Sequence, residues 1–189
     1  GDTLSYRYDR AGQLLERESA DAGRTTYRYD AAGNLHFRQD AHQRANGIVH
    51  FTTHDVLGRP LTSGMAAADF TTLDGTQTAG FESDTTTWRH VRAYDAKPDA
   101  NSYPWSQVDI GAAVVDSAAG QLAAEAYRSG VTDQHPGVWQ VVLYRYDREG
   151  RVKTKRIYTE GRSALDTEIH YRYDRQGQLT RRHVAMGSS

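Results

Sequence analysis

Eight histidines are the side chains of this sequence best suited to hold a metal ion or to move a proton. The nearest pair is His50 and His54. In an extended strand, residues four apart lie about 13 Å from each other on one face. That separation is too large to share an ion bound at about 2 Å from each ligand. We therefore predict no metal site here and interpret the histidines as exposed or sheet-edge side chains.

Aspartates that recur in the pattern Asp-x-x-Gly are the second candidate for metal chemistry. Calcium needs a close ring of oxygen ligands, which one aspartate per tight turn does not supply. An aspartate at the first turn position accepts a hydrogen bond from a backbone N–H two residues on, and a glycine at the fourth position tolerates a positive φ. We interpret these residues as structural. They are Asp9, Gly12, Asp30, Gly33, Asp55, Gly58, Asp147, Gly150, Asp174 and Gly177.

Sequence motifs of the common enzyme classes do not occur in the chain. It has no Gly-x-Ser-x-Gly elbow, no phosphate-binding loop ending in Gly-Lys-Ser/Thr, no Gly-x-Gly-x-x-Gly and no His-Glu-x-x-His. We predict no catalytic residue, no cofactor and no metal, and therefore a protein that is not an enzyme.

The aspartates end a string, Tyr-Arg-Tyr-Asp, that occurs four times and is followed each time by x-x-Gly-x-Leu or x-x-Gly-x-Val. Alternating tyrosines favour a strand, and Asp-x-x-Gly favours a three-residue hairpin loop with a glycine bulge. Counting outward from that turn pairs the second tyrosine with the Leu or Val across the hairpin, a contact worth up to about 1 kcal/mol. The predicted core pairs are Tyr8 with Leu14, Tyr29 with Leu35, Tyr146 with Val152, and Tyr173 with Leu179.

Weaker copies of the unit lie between the full ones. One keeps the turn from Asp55 to Gly58 but has Pro60 in the return strand, which predicts an edge or a strand displaced by one residue. Tyr94-Asp95 has the first half of the unit without a matching glycine. Residues 116–122 have the second half with one extra turn residue.

The sequence predicts an all-β chain of consecutive antiparallel hairpins that form a curved sheet or part of a β-shell, with about a dozen strands and little or no helix. We divide it into repeat hairpins at 1–64, an irregular β insertion at 65–137, repeat hairpins at 138–186 and a tail at 187–189. Together these make one structural domain that is a fragment of a larger shell. Within the insertion, strands are predicted at Thr86–Tyr94, Gln107–Val115 and Gln121–Arg128, a hairpin turn at Asp74-Gly75, and a loop at Thr132–Gly137.

Charge and hydropathy exclude two classes of partner. The formal net charge is −1, which argues against nucleic acid because phosphate binding needs concentrated Lys and Arg. We interpret the basic run Arg151–Arg156 as a solvated strand face. No apolar run reaches the roughly 18 residues of a membrane helix, and no signal sequence is present at Gly1.

The four spaced units resemble the Rhs or YD repeat of bacterial Rhs and polymorphic-toxin proteins, Tc toxin B and C components, and teneurins. The resemblance covers about residues 1–64 and 138–186, and the stretch between only loosely. It implies a long sheet that spirals into a hollow shell around a C-terminal effector polypeptide, in a secreted or cell-surface protein. Its implied partners are further repeats of the same parent chain and that effector.

Two function classes follow. The first is encapsulation, with this chain as part of the shell wall. The second is binding of carbohydrate or a cell surface through exposed aromatic rings, for which the candidates are Trp88, Trp105 and Trp139, although large aromatics in a chain poor in leucine usually belong to the core. Exposed sheet edges also predict edge-to-edge homo-oligomers.

Overall fold

The described part of the chain folds into twelve β-strands joined mostly by tight turns, and the predicted all-β class of consecutive antiparallel hairpins is confirmed. The computed structural model describes residues 3–110, 118–130 and 137–186. The strands are β1 (Leu4–Tyr8), β2 (Leu14–Ser19), β3 (Gly23–Tyr29), β4 (Leu35–Gln39), β5 (Ile48–His54), β6 (Pro60–Ala67), β7 (Trp88–Tyr94), β8 (Leu122–Ser129), β9 (Val138–Tyr146), β10 (Val152–Thr159), β11 (Thr167–Tyr173) and β12 (Leu179–Met186).

Two compact units divide the chain, Gly1–Arg89 and His90–Ser189. Within each unit, strands that follow one another in sequence are antiparallel neighbours. The unit boundary at Arg89 falls inside the stretch that the sequence assigns to an insertion at 65–137.

Helical structure in the described part of the chain is short. The one α-helix, α1, spans Ala41–Ala45. Asp40 accepts a 2.8 Å hydrogen bond from the Gln43 N–H, and the Gln43 side chain accepts one of 2.9 Å from the Asp40 N–H, which is a complete capping box. Four 3-10 turns are present at Phe70–Thr72, Gly80–Ser83, Trp105–Gln107 and Ser163–Leu165.

The core of the first unit is aromatic. Phe37 of β4 and Phe51 of β5 are paired across the strands, and both are fully buried. The connection from Ala68 to Thr87 packs over them and contributes Phe70 and Phe81 to the same cluster. We name residues 68–87 the first cover segment.

The core of the second unit is centred on β9. Val141, Val142 and Leu143 are consecutive and all buried, which is the burial expected of a strand covered on both faces. Tyr144 and Tyr146 join Val142 in one cluster with Ala123 of β8. The aromatic residues of this Leu-poor chain therefore supply much of its apolar burial.

Two predictions inside the insertion are wrong. The Asp74-Gly75 dipeptide does not form a hairpin, because residues 68–87 contain no strand and Asp74 instead begins a turn closed by the Gln77 N–H. Residues 107–110 do not begin a strand, because Trp105 and Ile110 are buried in a compact loop. The rest of that predicted strand, residues 111–115, and most of the predicted loop at Thr132–Gly137, residues 131–136, lie outside the described residues.

The other two strands predicted in this stretch are present as β7 and β8. Pro60 opens β6 and pairs with His54 after a register shift. The same one-residue shift accompanies Tyr8 and Tyr29, whose return strands have no proline, so it belongs to the repeat turn and is not an effect of Pro60.

Candidate functional site

The recurrent element of this chain is the turn that begins at each repeat aspartate. In the best-formed copy, Asp30 Oδ1 accepts hydrogen bonds from the N–H groups of Ala32 at 2.9 Å and Asn34 at 2.8 Å. The Gly33 N–H donates to the Asp30 carbonyl at 3.0 Å, and Gly33 has a φ of +89°. One carboxylate oxygen thus satisfies two backbone donors that the turn leaves without a strand partner.

At the other predicted turns, too, the aspartate carboxylate accepts hydrogen bonds from backbone N–H groups of its own turn. Burial pushes the pKa of Asp30 upward, but the hydrogen bonds from Asn34 and Ala32 outweigh it and hold the pKa below its ordinary value. At Asp55 and Asp147 the carboxylate also pairs with the arginine after the glycine, Arg59 and Arg151, each at 2.7 Å. These contacts occupy the carboxylates with structural partners.

Each second tyrosine of a repeat lies opposite the predicted aliphatic residue. The pairs Tyr8 with Leu14, Tyr29 with Leu35, Tyr146 with Val152 and Tyr173 with Leu179 are all in register, next to a one-residue shift. Their depths differ: Tyr146 is 8% exposed, whereas Tyr8 is 56% and Leu179 54% exposed. The term core therefore describes Tyr146 but not Tyr8 or Leu179, because β1 and β12 have a described strand on one side only.

A hydrogen bond joins each of three repeats to the one before it. The Tyr29 hydroxyl donates to the Leu14 carbonyl at 2.9 Å. In the second unit, Tyr146 donates to the Leu122 carbonyl at 2.7 Å and Tyr173 to the Val152 carbonyl at 2.8 Å. In every case the acceptor is the aliphatic residue two positions after the preceding repeat's glycine. We call this series the tyrosine ladder.

The turns themselves are also in contact from one repeat to the next. A Cβ placed on Gly33 would lie 3.2 Å from the side-chain amide nitrogen of Gln13, and one on Gly150 would lie 2.8 Å from that of Gln121. Gln13 and Gln121 each follow the glycine of the preceding repeat. The glycines therefore serve two purposes, a positive φ and room for the neighbouring turn.

One repeat is split by a long insertion. Tyr94 pairs with Leu122, as Tyr8 pairs with Leu14, and the Asp95 N–H donates to the Gln121 carbonyl at 3.0 Å. The Asp95 carboxylate accepts from the Gly120 N–H at 2.7 Å. Asp95 and Gly120 are thus the two ends of one repeat turn, with residues 96–119 inserted between them. The separate turn inferred from Asp116 is not needed, and Asp116 itself lies outside the described residues.

One stretch of the chain matches a known protein family. Residues 8–39 match the sequence profile described as RHS Repeat. This stretch of the chain is therefore similar to an Rhs repeat. The matched span begins at Tyr8, includes the turns at Asp9 and Asp30, and ends with β4, so the resemblance to the Rhs repeat is confirmed for these residues. No curated protein matches the chain.

Several solved structures are similar to this chain. Two are the crystal structures of TcdB2-TccC3-Cdc42, at 15% identity and a TM-score of 0.43, and of TcdB2-TccC3 without its hypervariable C-terminal region, at 16% and 0.41. A third is the Photorhabdus luminescens Tc holotoxin pore with a TccC3 variant, at 15% and 0.41. Each match covers 97% of this chain and 9% of the other chain, so this chain spans about a tenth of those proteins.

The first cover segment is attached to β4 by a buried polar pair, His36 and Glu82. His36 of β4 bonds through Nδ1 to the Gly75 carbonyl at 2.6 Å and through Nε2 to Glu82, and both side chains are nearly inaccessible to solvent. Burial raises the pKa of Glu82, against the opposing effect of His36. A buried charged group of this kind is tolerated only with a close partner. The pair therefore fixes where the cover segment lies.

A second polar cluster lies on β7, β8 and β9. Arg92 donates to His90 Nδ1 at 2.9 Å, so His90 Nε2 carries the proton and donates to Glu125 at 3.0 Å. The Tyr144 hydroxyl donates to the other oxygen of Glu125. The hydrogen bond from His90, with that from Tyr144 and against the effect of burial, lowers the pKa of Glu125 to about 2. This carboxylate is an acceptor held in place by strand neighbours.

The tryptophans suggested for carbohydrate stacking do not present free ring faces. Trp139 is 1% and Trp105 4% exposed. Trp139 donates to the Tyr103 hydroxyl at 2.7 Å and lies under the Arg128 guanidinium. Trp88 is half-buried and donates to the Glu82 carbonyl at 2.8 Å. In a Leu-poor chain these rings supply apolar burial, which is the physical reason that they are not available to a sugar.

His50 and His54 lie on β5, which pairs with β4 on one side and β6 on the other, and both side chains are partly buried. The interpretation of the histidines as exposed or sheet-edge side chains is therefore wrong for these two, and also for His36, which is 8% exposed. Burial lowers the pKa of each, aided at His50 by Arg38 and opposed at His54 by Asp30. Among residues 3–110, 118–130 and 137–186, no group of three or more His, Cys, Asp or Glu side chains is placed to hold a metal ion. In the same ranges, no helix has the length and apolar character needed to cross a membrane.

Proposed function

We propose that this chain is a segment of the wall of an Rhs-repeat β-shell that encloses an effector polypeptide of the same parent protein. The observation that carries the proposal is the tyrosine ladder. Each tyrosine hydroxyl of the ladder bonds to the preceding repeat and so attaches one hairpin to its neighbour. Such nearest-neighbour contacts are how repeat proteins extend.

The conspicuous polar groups of the chain support a structural role. The turn aspartates bond to backbone N–H groups, and His36 and Glu82 secure the first cover segment. Glu125 and Tyr144 bond to each other. Groups that are already engaged in holding strands and loops together are poorly placed to take part in a reaction with a substrate.

The terminal strands suggest how the wall continues. Every residue of β1 is exposed, and so is nearly every residue of β12. Sheet edges of this kind pair readily with another strand. We propose that further repeats of the parent chain pair there, and that without them the fragment forms edge-to-edge oligomers, which sedimentation of the isolated chain would detect. A secreted or cell-surface location follows from the family resemblance and is tested by fractionating cells that express the parent.

Protease protection in the full-length parent tests the enclosure itself. We expect the polypeptide carried by the parent to resist a protease while the repeats are intact. We also expect it to be cut rapidly in a Tyr29→Phe, Tyr173→Phe double variant, in which two rungs of the ladder are removed. Rapid cutting of the carried polypeptide in the unmodified parent, with its repeats shown to be folded by circular dichroism, would contradict enclosure.

A further inference from the structure

A pocket of about 620 Å³ opens on the first unit, away from the repeat turns. Its walls come from β1 to β4, from the end of α1 and from the start of the first cover segment. Volumes of 300 to 1,000 Å³ are usual for small-molecule sites. The tyrosine ladder does not account for this pocket.

Four arginines line this pocket: Arg7, Arg24, Arg28 and Arg44. Arg7 and Arg24 share one carboxylate, Glu16, with Arg7 at 3.2 Å. Glu16 is not a lining residue, and the acid that does line the pocket is Asp69, whose carboxylate accepts hydrogen bonds from the Thr71 N–H and hydroxyl. Four guanidinium groups therefore lie near two carboxylates, and the pocket carries an excess of positive charge.

Arg44 is held in position by neutral groups. Its guanidinium donates to the Arg24 carbonyl at 3.0 Å and to the Thr26 hydroxyl at 3.4 Å. Among the described residues, no carboxylate lies within ion-pair distance of it. The side chain is thus oriented in advance while its charge is left for a further partner.

Arg28 combines charge with an apolar surface. Its guanidinium stacks 5.1 Å from the centroid of the Phe70 ring, which is 8% exposed. Its Nε atom is buried and has no hydrogen-bond partner in the described part of the chain. Asp74 acts on it electrostatically from outside the lining. Leu15 adds further apolar surface to the pocket.

We propose that this pocket binds a small organic anion, with a carboxylate or phosphate group on an aromatic or aliphatic body. Arg28 and Arg44 bind the anionic group, since a guanidinium matches planar and tetrahedral oxyanions with paired hydrogen bonds. Phe70 and Leu15 contact the body. This site is independent of enclosure by the shell.

Titration of the 189-residue chain with four probes tests the proposal by calorimetry and amide NMR shifts. Phenyl phosphate and phenylacetate carry both parts of the ligand, inorganic phosphate carries the charge alone, and benzyl alcohol carries the body alone. We expect at least one aromatic anion to bind tenfold or more tightly than inorganic phosphate and benzyl alcohol. The shifted amides should include Thr26 and Ala68, which line the pocket. Whichever aromatic anion binds more tightly identifies the charged group.

Two variants locate the binding. Arg44→Gln should weaken the better probe at least tenfold, and Arg28→Gln should do the same. Arg10→Gln, which removes an exposed charge outside the pocket, should leave affinity unchanged. Circular dichroism shows whether each variant is folded. If Arg28→Gln unfolds the chain because the stacking on Phe70 is lost, the Arg44→Gln variant tests the site by itself.

Several outcomes would overturn the site. They are no binding of either aromatic anion, benzyl alcohol or inorganic phosphate binding as tightly as the better aromatic anion, or a folded Arg44→Gln chain with undiminished affinity. Amide shifts confined to other parts of the chain would also contradict it.

Discussion

The Tyr29 hydroxyl donates a 2.9 Å hydrogen bond to the backbone carbonyl of Leu14, fifteen residues earlier in the chain and in the preceding repeat. Tyr146 and Tyr173 make the equivalent bond to Leu122 and Val152. Burial raises the pKa of all three hydroxyls, so each remains a protonated donor. The second tyrosine of the unit therefore has a role in joining repeats as well as in packing.

Removal of one rung of the tyrosine ladder should weaken the fold. We expect Tyr29→Phe to lower the free energy of unfolding by about 1 kcal/mol, because the Leu14 carbonyl loses a donor. Urea denaturation measures the change. Tyr8→Phe is the matched control, since Tyr8 occupies the same position in its repeat but its hydroxyl has no partner among the described residues, and it should have little effect. Equal losses in the two variants would show that the ladder bond contributes nothing.

The Asp30 carboxylate should contribute as a hydrogen-bond acceptor. We expect Asp30→Ala to cost about 1 to 2 kcal/mol, because the N–H groups of Ala32 and Asn34 both lose their acceptor. Asp30→Asn keeps an oxygen at Oδ1 and should cost less than half as much. Urea denaturation at pH 7 compares the two. If the asparagine variant is as unstable as the alanine variant, charge rather than turn geometry accounts for the aspartate.

Gly75 should be intolerant of any side chain. A Cβ at this position would lie 2.3 Å from the Tyr29 carbonyl oxygen, a backbone atom that cannot move aside without shifting β3. We expect Gly75→Ala to displace the first cover segment and to cost about 2 kcal/mol or more, in the range of overpacked cores. Thermal unfolding and the exchange of segment amides measure this. Gly80→Ala, where a Cβ meets nothing within 4 Å, should be close to neutral, and similar losses in both would contradict the packing.

Glu125 should make the second unit sensitive to acid. Its pKa of about 2 lies below the ordinary value of 4.5, so its stabilising effect is complete above about pH 5 and is lost as the pH falls from 4.5 toward 2. After allowance for partial exposure, we expect a contribution of about 1 kcal/mol. Stability of the wild type measured from pH 6 to pH 2.5 should therefore fall more steeply than that of Glu125→Gln.

The control for loss of one negative charge is Glu18→Gln, an exposed residue of β2. It should retain the wild-type steepness. If the Glu125→Gln chain loses stability with acid as steeply as the wild type, the cluster with His90 and Tyr144 does not depend on the ionised carboxylate.

Local repeats made the hairpins predictable from sequence. In a unit of nine residues the turn chemistry and the strand period come from neighbouring positions, so the partner of Tyr8 or Tyr173 is set by counting. The helix α1 carried a signal as well, because Asp40 and Gln43 have the spacing of a capping box. The carbonyl acceptors of the tyrosine ladder were not predicted, because every residue has a backbone carbonyl and the residue type does not show which one accepts a bond.

Contacts across long separations were not predictable. Asp95 and Gly120 form one turn, but residues 96–119 separate them and the motif pattern counts only fixed spacings. Gly75 does not lie in a hairpin turn. A side chain is excluded at this position because the backbone of Tyr29 lies too close. The pairing of His36 with Glu82 depends likewise on where the first cover segment packs, which local propensity does not determine.

Nuclear Overhauser contacts of the ladder tyrosines test the central claim most directly. In the isolated chain, the ring protons of Tyr29 should contact the backbone of Leu14 and Leu15, and those of Tyr173 the backbone of Val152 and Lys153. The Tyr8 ring should have no such contact with an earlier repeat. Contacts of this pattern would establish that neighbouring repeats are joined in register. Their absence at both Tyr29 and Tyr173 in a folded chain would contradict the account.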